Sequence, residues 1–270
     1  MSARIRLAAH RGGALLWPEN SLRAFRESIA LGADLLELDL RLSADGRVVV
    51  VHDLTLERVS DAQGSVGERT AAELARVRLR APDGTLSDEG IPTLEQVLEL
   101  VAPSGTGLLL EVKGPTPRDN VLFERVERGE VRITPGPQYP GLVESTVAAV
   151  RAAGMLDRVN VMGFNPDAVR QARALRPPVA ATFLVAAGHV TLVEAQPVDA
   201  VAWAAGLGAT DVGLEHTLAS APVVAAAHAA GLRVGVWTVN AEADMGRMLD
   251  LGVDVLTTDR PDLARRVLGR

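Results

Sequence analysis

Acidic and basic side chains alternate with leucines in two apolar runs of the chain. Glu37 and Asp39 lie within Leu35–Leu40, and Glu111 and Lys113 repeat the arrangement in a later run. Residues two apart in a β-strand point to the same side, so each pair shares one face while the apolar residues share the other. Carboxylates buried in this way are costly unless they are neutralised, so a partner for them is expected.

Three carboxylates at the ends of neighbouring strands predict a metal site. Glu37, Asp39 and Glu111 offer oxygen ligands, which hard divalent cations prefer. The alternative is a salt-bridge cluster closed by Lys113 and Arg11. One lysine and one arginine cannot balance three carboxylates and also meet an anionic substrate, so a metal site is the preferred interpretation.

Two histidines add groups that can transfer protons. His10 ends the first apolar run, and His52 ends the run that returns through Arg47–Val51. Both would lie at the rim above the carboxylates, and imidazole titrates near neutral pH, so they are predicted to be a general acid–base pair. Three further histidines are interpreted as structural residues: His189, His216 and His228.

The elements that must position these residues are short apolar runs, each followed by a helical pattern, which favours βα units and a parallel sheet. The predicted strands are Arg4–Ala9, Leu35–Leu40, Gly107–Lys113, Val159–Phe164, Val179–Val185, Thr210–Leu214, Arg233–Thr238 and Asp254–Thr258. The predicted helices are Asn20–Leu31, Thr93–Val101, Val143–Ala153, Asp167–Leu175, Leu192–Ala205, Ala219–Ala230, Glu242–Leu251 and Asp262–Leu268. Eight repeats predict an α/β fold of the closed (β/α)₈ TIM-barrel type, with an open sheet as the alternative.

Two connections are longer than ordinary loops. Residues 53–92 are predicted to be an insertion after the second strand, and a hairpin that turns at Ser43–Gly46 precedes them. Residues 114–141 follow the third strand, contain several prolines and are predicted to act as a lid. Both follow the carboxyl ends of strands, where barrel enzymes place their sites. Residues 1–270 are predicted to form one domain.

The amino-acid composition limits which partners and which metal ligands are expected for the protein. The 270 residues include 47% apolar and 23% charged residues, with a net charge of −6 and no cysteine. The charge offers no basic face to nucleic acid, and the absence of cysteine excludes disulfides and thiolate metal ligands. Because no run reaches about 18 apolar residues, we expect neither a membrane span nor a signal peptide, and a cytoplasmic location. The oligomeric state stays open.

Several short motifs follow one another along nearly the whole chain. The first are His10-Arg11-Gly12, Pro18-Glu19-Asn20, Glu37-x-Asp39, Asp45-Gly46 and His52-Asp53. The later ones are Ile91-Pro92-Thr93-Leu94, Glu111-x-Lys113, Val236-Trp237-Thr238-Val239-Asn240, Gly252-Val253-Asp254 and Thr258-Asp259-x-Pro261. In this order they resemble the glycerophosphodiester phosphodiesterase family. Each motif alone is weak, but the full series is specific.

The resemblance implies a (β/α)₈ barrel that uses Mg²⁺ or Ca²⁺ to hydrolyse glycerophosphodiesters to glycerol 3-phosphate and an alcohol. The implied roles are metal ligands for Glu37, Asp39 and Glu111, an acid–base pair for His10 and His52, phosphate-charge partners for Arg11 and Lys113, and an apolar wall against glycerol for Trp237. A core position fits Trp237 as well. By analogy with related barrels, we expect His10 to act as the base and His52 as the acid.

Several alternatives stay open. The substrate's own 2-hydroxyl could attack and form a cyclic phosphate, or water could attack directly. A lipid phosphodiesterase of the lysophospholipase D or sphingomyelinase D kind would use the same residues, and a non-catalytic phosphodiester-binding barrel would lack at least one of them. Gly163, where the family often has serine, and Ser21, where threonine is usual, leave the preferred alcohol undecided.

Overall fold

The structure is a computed structural model, and it describes residues 4–116, 122–126 and 130–270. Its strands are β1 (Arg6–Ala9), β2 (Leu35–Leu42), β3 (Val48–Val50), β4 (Gly107–Val112), β5 (Leu122–Arg125), β6 (Val131–Thr134), β7 (Val159–Gly163), β8 (Ala180–Val185), β9 (Asp211–Glu215), β10 (Arg233–Trp237) and β11 (Val255–Thr258). All except β3, β5 and β6 pair in parallel, and β1 pairs with both β2 and β11. The predicted closed barrel of eight strands is therefore confirmed.

The helices of the described residues are α1 (Leu22–Ala30), α2 (Ala71–Leu74), α3 (Leu94–Val101), α4 (Leu142–Ala152), α5 (Pro166–Ala174), α6 (Ala187–Leu192), α7 (Asp199–Gly206), α8 (Ala221–Ala229), α9 (Glu242–Leu251) and α10 (Pro261–Val267). Local sequence explains several of their starts. Thr93 and Gln96 form a capping box before α3. Ser21 caps α1 by accepting a hydrogen bond from the backbone N–H of Ala24, so this helix begins at Leu22 and not at Asn20 as predicted. None of the helices within the described part of the chain is long and apolar enough to cross a membrane.

One predicted helix is wrong. The segment Leu192–Ala205 is not continuous, because α6 ends at Leu192 and α7 begins only at Asp199. Between them Glu194 adopts a φ of 48°, in the left-handed region, and Pro197 has no N–H group to continue a helix. The apolar spacing of this segment could not show either interruption.

Alternation along the strands divides the buried side chains into two cores. Leu36, Leu38 and Leu40 pack in the cluster that joins the sheet to the helices. A smaller cluster fills the barrel interior, with Ala8, Leu35, Leu109, Met162, Leu184 and Val255. Because Leu35 shares its side of β2 with Glu37 and Asp39, both acidic residues point into the barrel, as the spacing predicted.

The insertion after β2 has an apolar core of its own. Strand β3 runs antiparallel to β2, as predicted for the hairpin, and the chain then continues through α2 to α3. The small core contains Val49, Val51, Leu56, Val59, Val66, Ala71, Leu74, Val77, Leu79 and Ile91. This packing holds the insertion beside the carboxyl ends of β1 and β2.

The predicted lid contains a short hairpin of β5 and β6. Phe123 is buried and stacks on His189 with 4.5 Å between ring centroids, and its ring also contacts Trp203. His189 lies in α6. The guanidinium of Arg125 donates to the carbonyl oxygen of Val193 at 2.6 Å. The described part of the segment is docked on the barrel; residues 117–121 and 127–129 of the predicted lid lie outside the described residues.

Candidate active site

The site begins with a tight turn at the end of β1. His10–Gly12 form a short 3-10 helix in which φ is 50° at Arg11 and 78° at Gly12. A Cβ atom at Gly12 would lie 2.8 Å from that of Ala24, so both the backbone conformation and the available space require glycine. The turn directs the backbone N–H of Arg11 to Oε2 of Glu37, with 2.9 Å between nitrogen and oxygen.

Three carboxylates meet at the ends of β2 and β4. Oxygen atoms of Glu37, Asp39 and Glu111 lie within 4.8 Å of one another, and all three residues are buried. The Nδ2 amide of Asn20 donates to Oδ2 of Asp39 at 2.9 Å and orients that carboxylate. The structure therefore brings the three predicted metal ligands together.

The two predicted cationic residues contact these carboxylates. Lys113 forms an ion pair with Glu111 and lies 3.1 Å from Oδ1 of Asp39, while Nε of Arg11 lies 3.3 Å from Oδ2 of Asp39. The contacts of the salt-bridge alternative are thus present. Among the described residues, however, Oε1 of Glu37 and Oδ1 of Asp39 have no hydrogen-bond partner, since the lysine is at ion-pair distance but outside hydrogen-bond geometry. These contacts leave the cluster incompletely satisfied.

The two carboxylates of β2 have pKa values shifted in opposite directions, because the nearby positive charges lie closer to Asp39 than to Glu37. Burial, followed by the charge of Asp39, raises the pKa of Glu37 to about 8. Burial also acts to raise the pKa of Asp39, but Lys113 and Arg11 together outweigh it and hold that pKa well below its usual range. Near neutral pH, Glu37 is therefore mostly protonated when no further cation is present. Buried carboxylate oxygens with unmet bonding capacity suit a hard divalent cation, and the three residues can hold one.

His10 is held by a carboxylate that follows β11, the strand paired with β1 at the closure of the barrel. Its Nδ1 lies 2.6 Å from Oδ1 of Asp259, and Nδ2 of Asn240 donates to the other oxygen of that carboxylate at 2.7 Å. Nε2 of His10 lies 3.9 Å from Oε2 of Glu37 and is thus directed toward the carboxylate cluster. Burial lowers the pKa of His10, but Glu37 and Asp259 outweigh burial and raise it overall. The Nδ1–H group of the imidazole donates to Asp259, and Nε2 is available for proton transfer.

His52 has an equivalent arrangement in a different part of the chain. Its Nδ1 lies 2.6 Å from Oδ1 of Asp53, and Nε of Arg58 donates to Oδ2 of the same carboxylate at 2.6 Å. Burial raises the pKa of Asp53, but the hydrogen bonds from His52 and Arg58 lower it below its usual range. Arg58 also donates to both oxygens of Glu19, at 2.7 and 2.8 Å. The insertion thereby holds the second histidine and is tied to the connection between β1 and α1.

Arg41 is a further residue whose position sequence analysis did not assign. It is buried and donates from Nε to the carbonyl oxygen of His52 at 2.8 Å and from Nη1 to that of Gly114 at 2.5 Å. It therefore links the segments that carry His52 and Lys113. The sequence shows an arginine directly after the apolar run Leu35–Leu40, but it does not show which groups this arginine contacts.

The orienting carboxylates were also missed as functional residues. Asp53 and Asp259 stood in the motifs, next to His52 and near the end of the chain, without a role. The adjacency of His52 and Asp53 was a usable signal, whereas nothing local linked His10 to Asp259.

A cavity of about 240 Å³ lies at this end of the barrel. Predicted site residues that line it are His10, Arg11, Glu37, His52, Glu111, Lys113 and Trp237. Trp237 meets Phe164 edge-on, with 5.5 Å between ring centroids, and also packs on the interior core. Trp237 thus lines the cavity and belongs to the interior core, and its contact with glycerol stays a prediction.

The sequence matches a known enzyme family over most of its length. The sequence profile of the glycerophosphoryl diester phosphodiesterase family matches residues 10–263. The chain belongs to this family. The resemblance seen in the motifs and the enzyme class that it implied are therefore confirmed.

Relatives and solved structures match over nearly the full length. Glycerophosphodiester phosphodiesterases from Caldanaerobacter subterraneus subsp. tengcongensis and from Bacillus altitudinis are both 30% identical to this chain. The first match covers 94% of this chain and 93% of the relative, and the second covers 97% of each. A solved structure from Agrobacterium tumefaciens str. C58 has a TM-score of 0.81 at 26% identity and covers 98% of this chain and 97% of its own.

A second solved structure contains a ligand. It is an Oleispira antarctica phosphodiesterase in complex with the product sn-glycerol-3-phosphate, with a TM-score of 0.73 and 25% identity. The match covers 98% of this chain and 97% of that one.

Proposed function

We propose that the chain, acting as one catalytic domain, hydrolyses glycerophosphodiesters to glycerol 3-phosphate and an alcohol. The observation that carries this proposal is that two carboxylate-bound histidines line one cavity with Glu37 and Glu111, two members of the buried cluster of three carboxylates. The glycerol 3-phosphate in the Oleispira relative supports the choice of substrate class.

Glu37, Asp39 and Glu111 would hold Mg²⁺ or Ca²⁺. The unmet oxygen atoms of Glu37 and Asp39, together with the all-carboxylate ligand set, fit either ion. When bound, such an ion stabilises negative charge on phosphoryl oxygens.

The side chains of the site supply proton transfer and positive charge. Nε2 of His10 accepts the proton of the attacking hydroxyl group, and Nε2 of His52 donates a proton to the departing alkoxide. Asp259 and Asp53 hold the two rings so that Nε2 is the free nitrogen. Arg11 and Lys113 balance charge on the phosphoryl oxygens. These roles are the same whether a substrate hydroxyl or water attacks.

A product assay tests the proposal. Release of alcohol is measured from glycerophosphocholine, -ethanolamine, -glycerol and -inositol, with lysophospholipids in parallel, and Mg²⁺ or Ca²⁺ binding is followed by calorimetry for the protein and for Glu37→Gln. We expect diester turnover and weaker metal binding by the variant. Turnover of lysophospholipids alone would favour the lipid phosphodiesterase, and metal binding without turnover of any diester would favour the non-catalytic barrel.

A further inference from the structure

A second cleft opens between the β1–α1 connection and the insertion. Its volume is about 440 Å³, within the range of about 300–1,000 Å³ that is usual for small-molecule sites. His10 and Arg11 line both this cleft and the central cavity, so the two spaces adjoin at these side chains. Leu15, which is 53% exposed, and Trp17 form an apolar part of its wall.

The charged groups of this outer cleft are almost all paired with one another. Glu19 binds both Arg11 and Arg58, and Asp259 binds His10. Arg58 uses its guanidinium for four hydrogen bonds, two to Glu19 and two to a neighbouring aspartate. A cationic group that entered the cleft would therefore have to compete for carboxylates that are already occupied.

Arg80 is different from the other cations of the cleft. Its Nη1 donates to the carbonyl oxygen of Gly84 at 3.0 Å and its Nη2 to that of Ser60 at 3.1 Å. Within residues 4–116, 122–126 and 130–270 it makes no ion pair with a carboxylate. A guanidinium carries five N–H groups, so about three of them remain for a ligand. The two carbonyl contacts also fix the group at the wall of the cleft.

We propose that the outer cleft binds the leaving alcohol and that Arg80 selects alcohols that carry an anionic group, such as a phosphate monoester. The inference rests on the proposed function, because the alcohol reaches this cleft only if the phosphodiester binds at the adjoining cavity. An anionic group on the alcohol can form an ion pair with the guanidinium of Arg80. The ammonium group of choline or ethanolamine would have to displace an arginine or histidine from a carboxylate that is already paired. Leu15 and Trp17 cover the carbon skeleton of the alcohol.

The test compares three glycerophosphodiesters whose leaving alcohols are glycerol phosphate, glycerol and choline. For the native protein we expect kcat/KM to fall in that order. Arg80→Gln should lower kcat/KM for the anionic substrate by about 10- to 100-fold and change that for the neutral substrate by less than about threefold. Arg80→Lys should lie between, because it keeps the charge but loses the planar fork of donors.

Arg76→Gln serves as a matched control, since Arg76 is an exposed arginine of the same insertion and does not line the cleft. Melting temperatures of the variants report any damage to the insertion. Equal losses for all three substrates would overturn the proposal, because Arg80 would then only support the fold. A native preference for the choline ester, or tighter binding of a lysophospholipid through its acyl chain, would also overturn it.

Binding of non-cleavable phosphonate analogues separates this inference from the proposed function. The ratio of dissociation constants for anionic and cationic analogues depends on the outer cleft even if no diester is turned over. A preference for the anionic analogue that Arg80→Gln abolishes, without turnover by the native protein, would support the cleft and reject the proposed hydrolysis. Equal affinities for the two analogues would reject the role of Arg80.

Discussion

Both ends of the barrel interior bury charged side chains, but the two ends differ in how completely these groups are hydrogen-bonded. At the amino-terminal end, Asp211 accepts hydrogen bonds from Asn160 at 2.9 Å and from Arg233 at 2.8 Å. Asn160 in turn accepts from Thr182 at 2.9 Å. Donors and acceptors match here, which is the usual state of buried polar groups.

At the carboxyl-terminal end, the charged groups do not match. Three carboxylates share Lys113 and Arg11, and polar atoms of Glu37, Asp39 and Trp237 have no hydrogen-bond partner among the described residues. Such unmet capacity costs free energy unless a ligand uses it. The difference indicates that the first network stabilises the fold, whereas the second is arranged for groups that come from outside.

Removing the metal should have the largest effect. Chelation is expected to reduce turnover to background, and excess Mg²⁺ or Ca²⁺ should restore it. Glu37→Gln should bind metal weakly yet remain folded, because Glu37 is mostly protonated without metal and a neutral amide replaces it. Asp39→Asn should also bind metal weakly, but it should melt earlier, because Lys113 and Arg11 lose an ion-pair partner. Calorimetry and melting temperatures measure the two effects. Full activity after thorough demetallation would contradict the interpretation that the carboxylates at the carboxyl-terminal end of the barrel bind a metal needed for turnover.

Replacing either histidine should come next. His10→Ala or His52→Ala is expected to lower kcat by about 10²- to 10⁴-fold with a natural diester. A nitrophenolate leaving group needs no proton, so a glycerophospho-nitrophenyl substrate should largely restore His52→Ala and leave His10→Ala impaired. Restoration of His10→Ala instead would reverse the assigned roles. If neither recovers, neither histidine is a dedicated acid for the leaving group.

Lys113→Met separates charge balance from catalysis. If Lys113 meets the phosphoryl group, kcat/KM should fall by about 2–4 kcal/mol in transition-state free energy. If it only balances Asp39 and Glu111, the variant should instead melt earlier and bind metal more tightly. Activity, metal affinity and melting temperature measured on the same variant distinguish these outcomes.

Asp211→Asn probes the matched network at the other end. Losing the ion pair with Arg233 and one hydrogen-bond acceptor should lower the free energy of unfolding by about 1–3 kcal/mol. Because Asp211 is remote from the catalytic groups, kcat/KM should change by less than about twofold. Denaturant unfolding and the diester assay are the measurements. A selective loss of activity at unchanged stability would contradict a purely structural role.

A final prediction concerns the pH dependence of metal binding and of stability. The pKa of Glu37 is raised to about 8 from its ordinary value of 4.5, so protons compete with metal below that pH. Metal affinity should fall by about tenfold per pH unit as the pH decreases from 8, and Glu37→Gln should lose this slope. Without metal, stability should fall as the pH rises from 4.5 through 8, because the unfolded chain releases this proton near pH 4.5 whereas the buried group keeps it up to about pH 8. If metal affinity does not depend on pH, metal binding does not displace a proton from Glu37.

The sequence by itself determined the order of the elements and the inward direction of the acidic residues. Alternation in Leu35–Leu40 and eight βα repeats depend on local periodicity, which one strand or helix can express. The tight turn at Gly12 and the pairing of His52 with Asp53 were also within reach, since their partners are close in the chain. The candidate ligands Glu37, Asp39 and Glu111 could be predicted for a different reason, since the carboxyl ends of parallel strands meet at one end of a barrel.

Only the tertiary structure decided the partners that are distant in sequence. His10 and its carboxylate Asp259 are 249 residues apart, and they meet because β1 and β11 close the barrel. The contact between Arg58 and Glu19, and the open guanidinium of Arg80, likewise depend on where the insertion docks. Local patterns report which face a side chain takes, but its hydrogen-bond partners depend on barrel closure, which brings distant segments together.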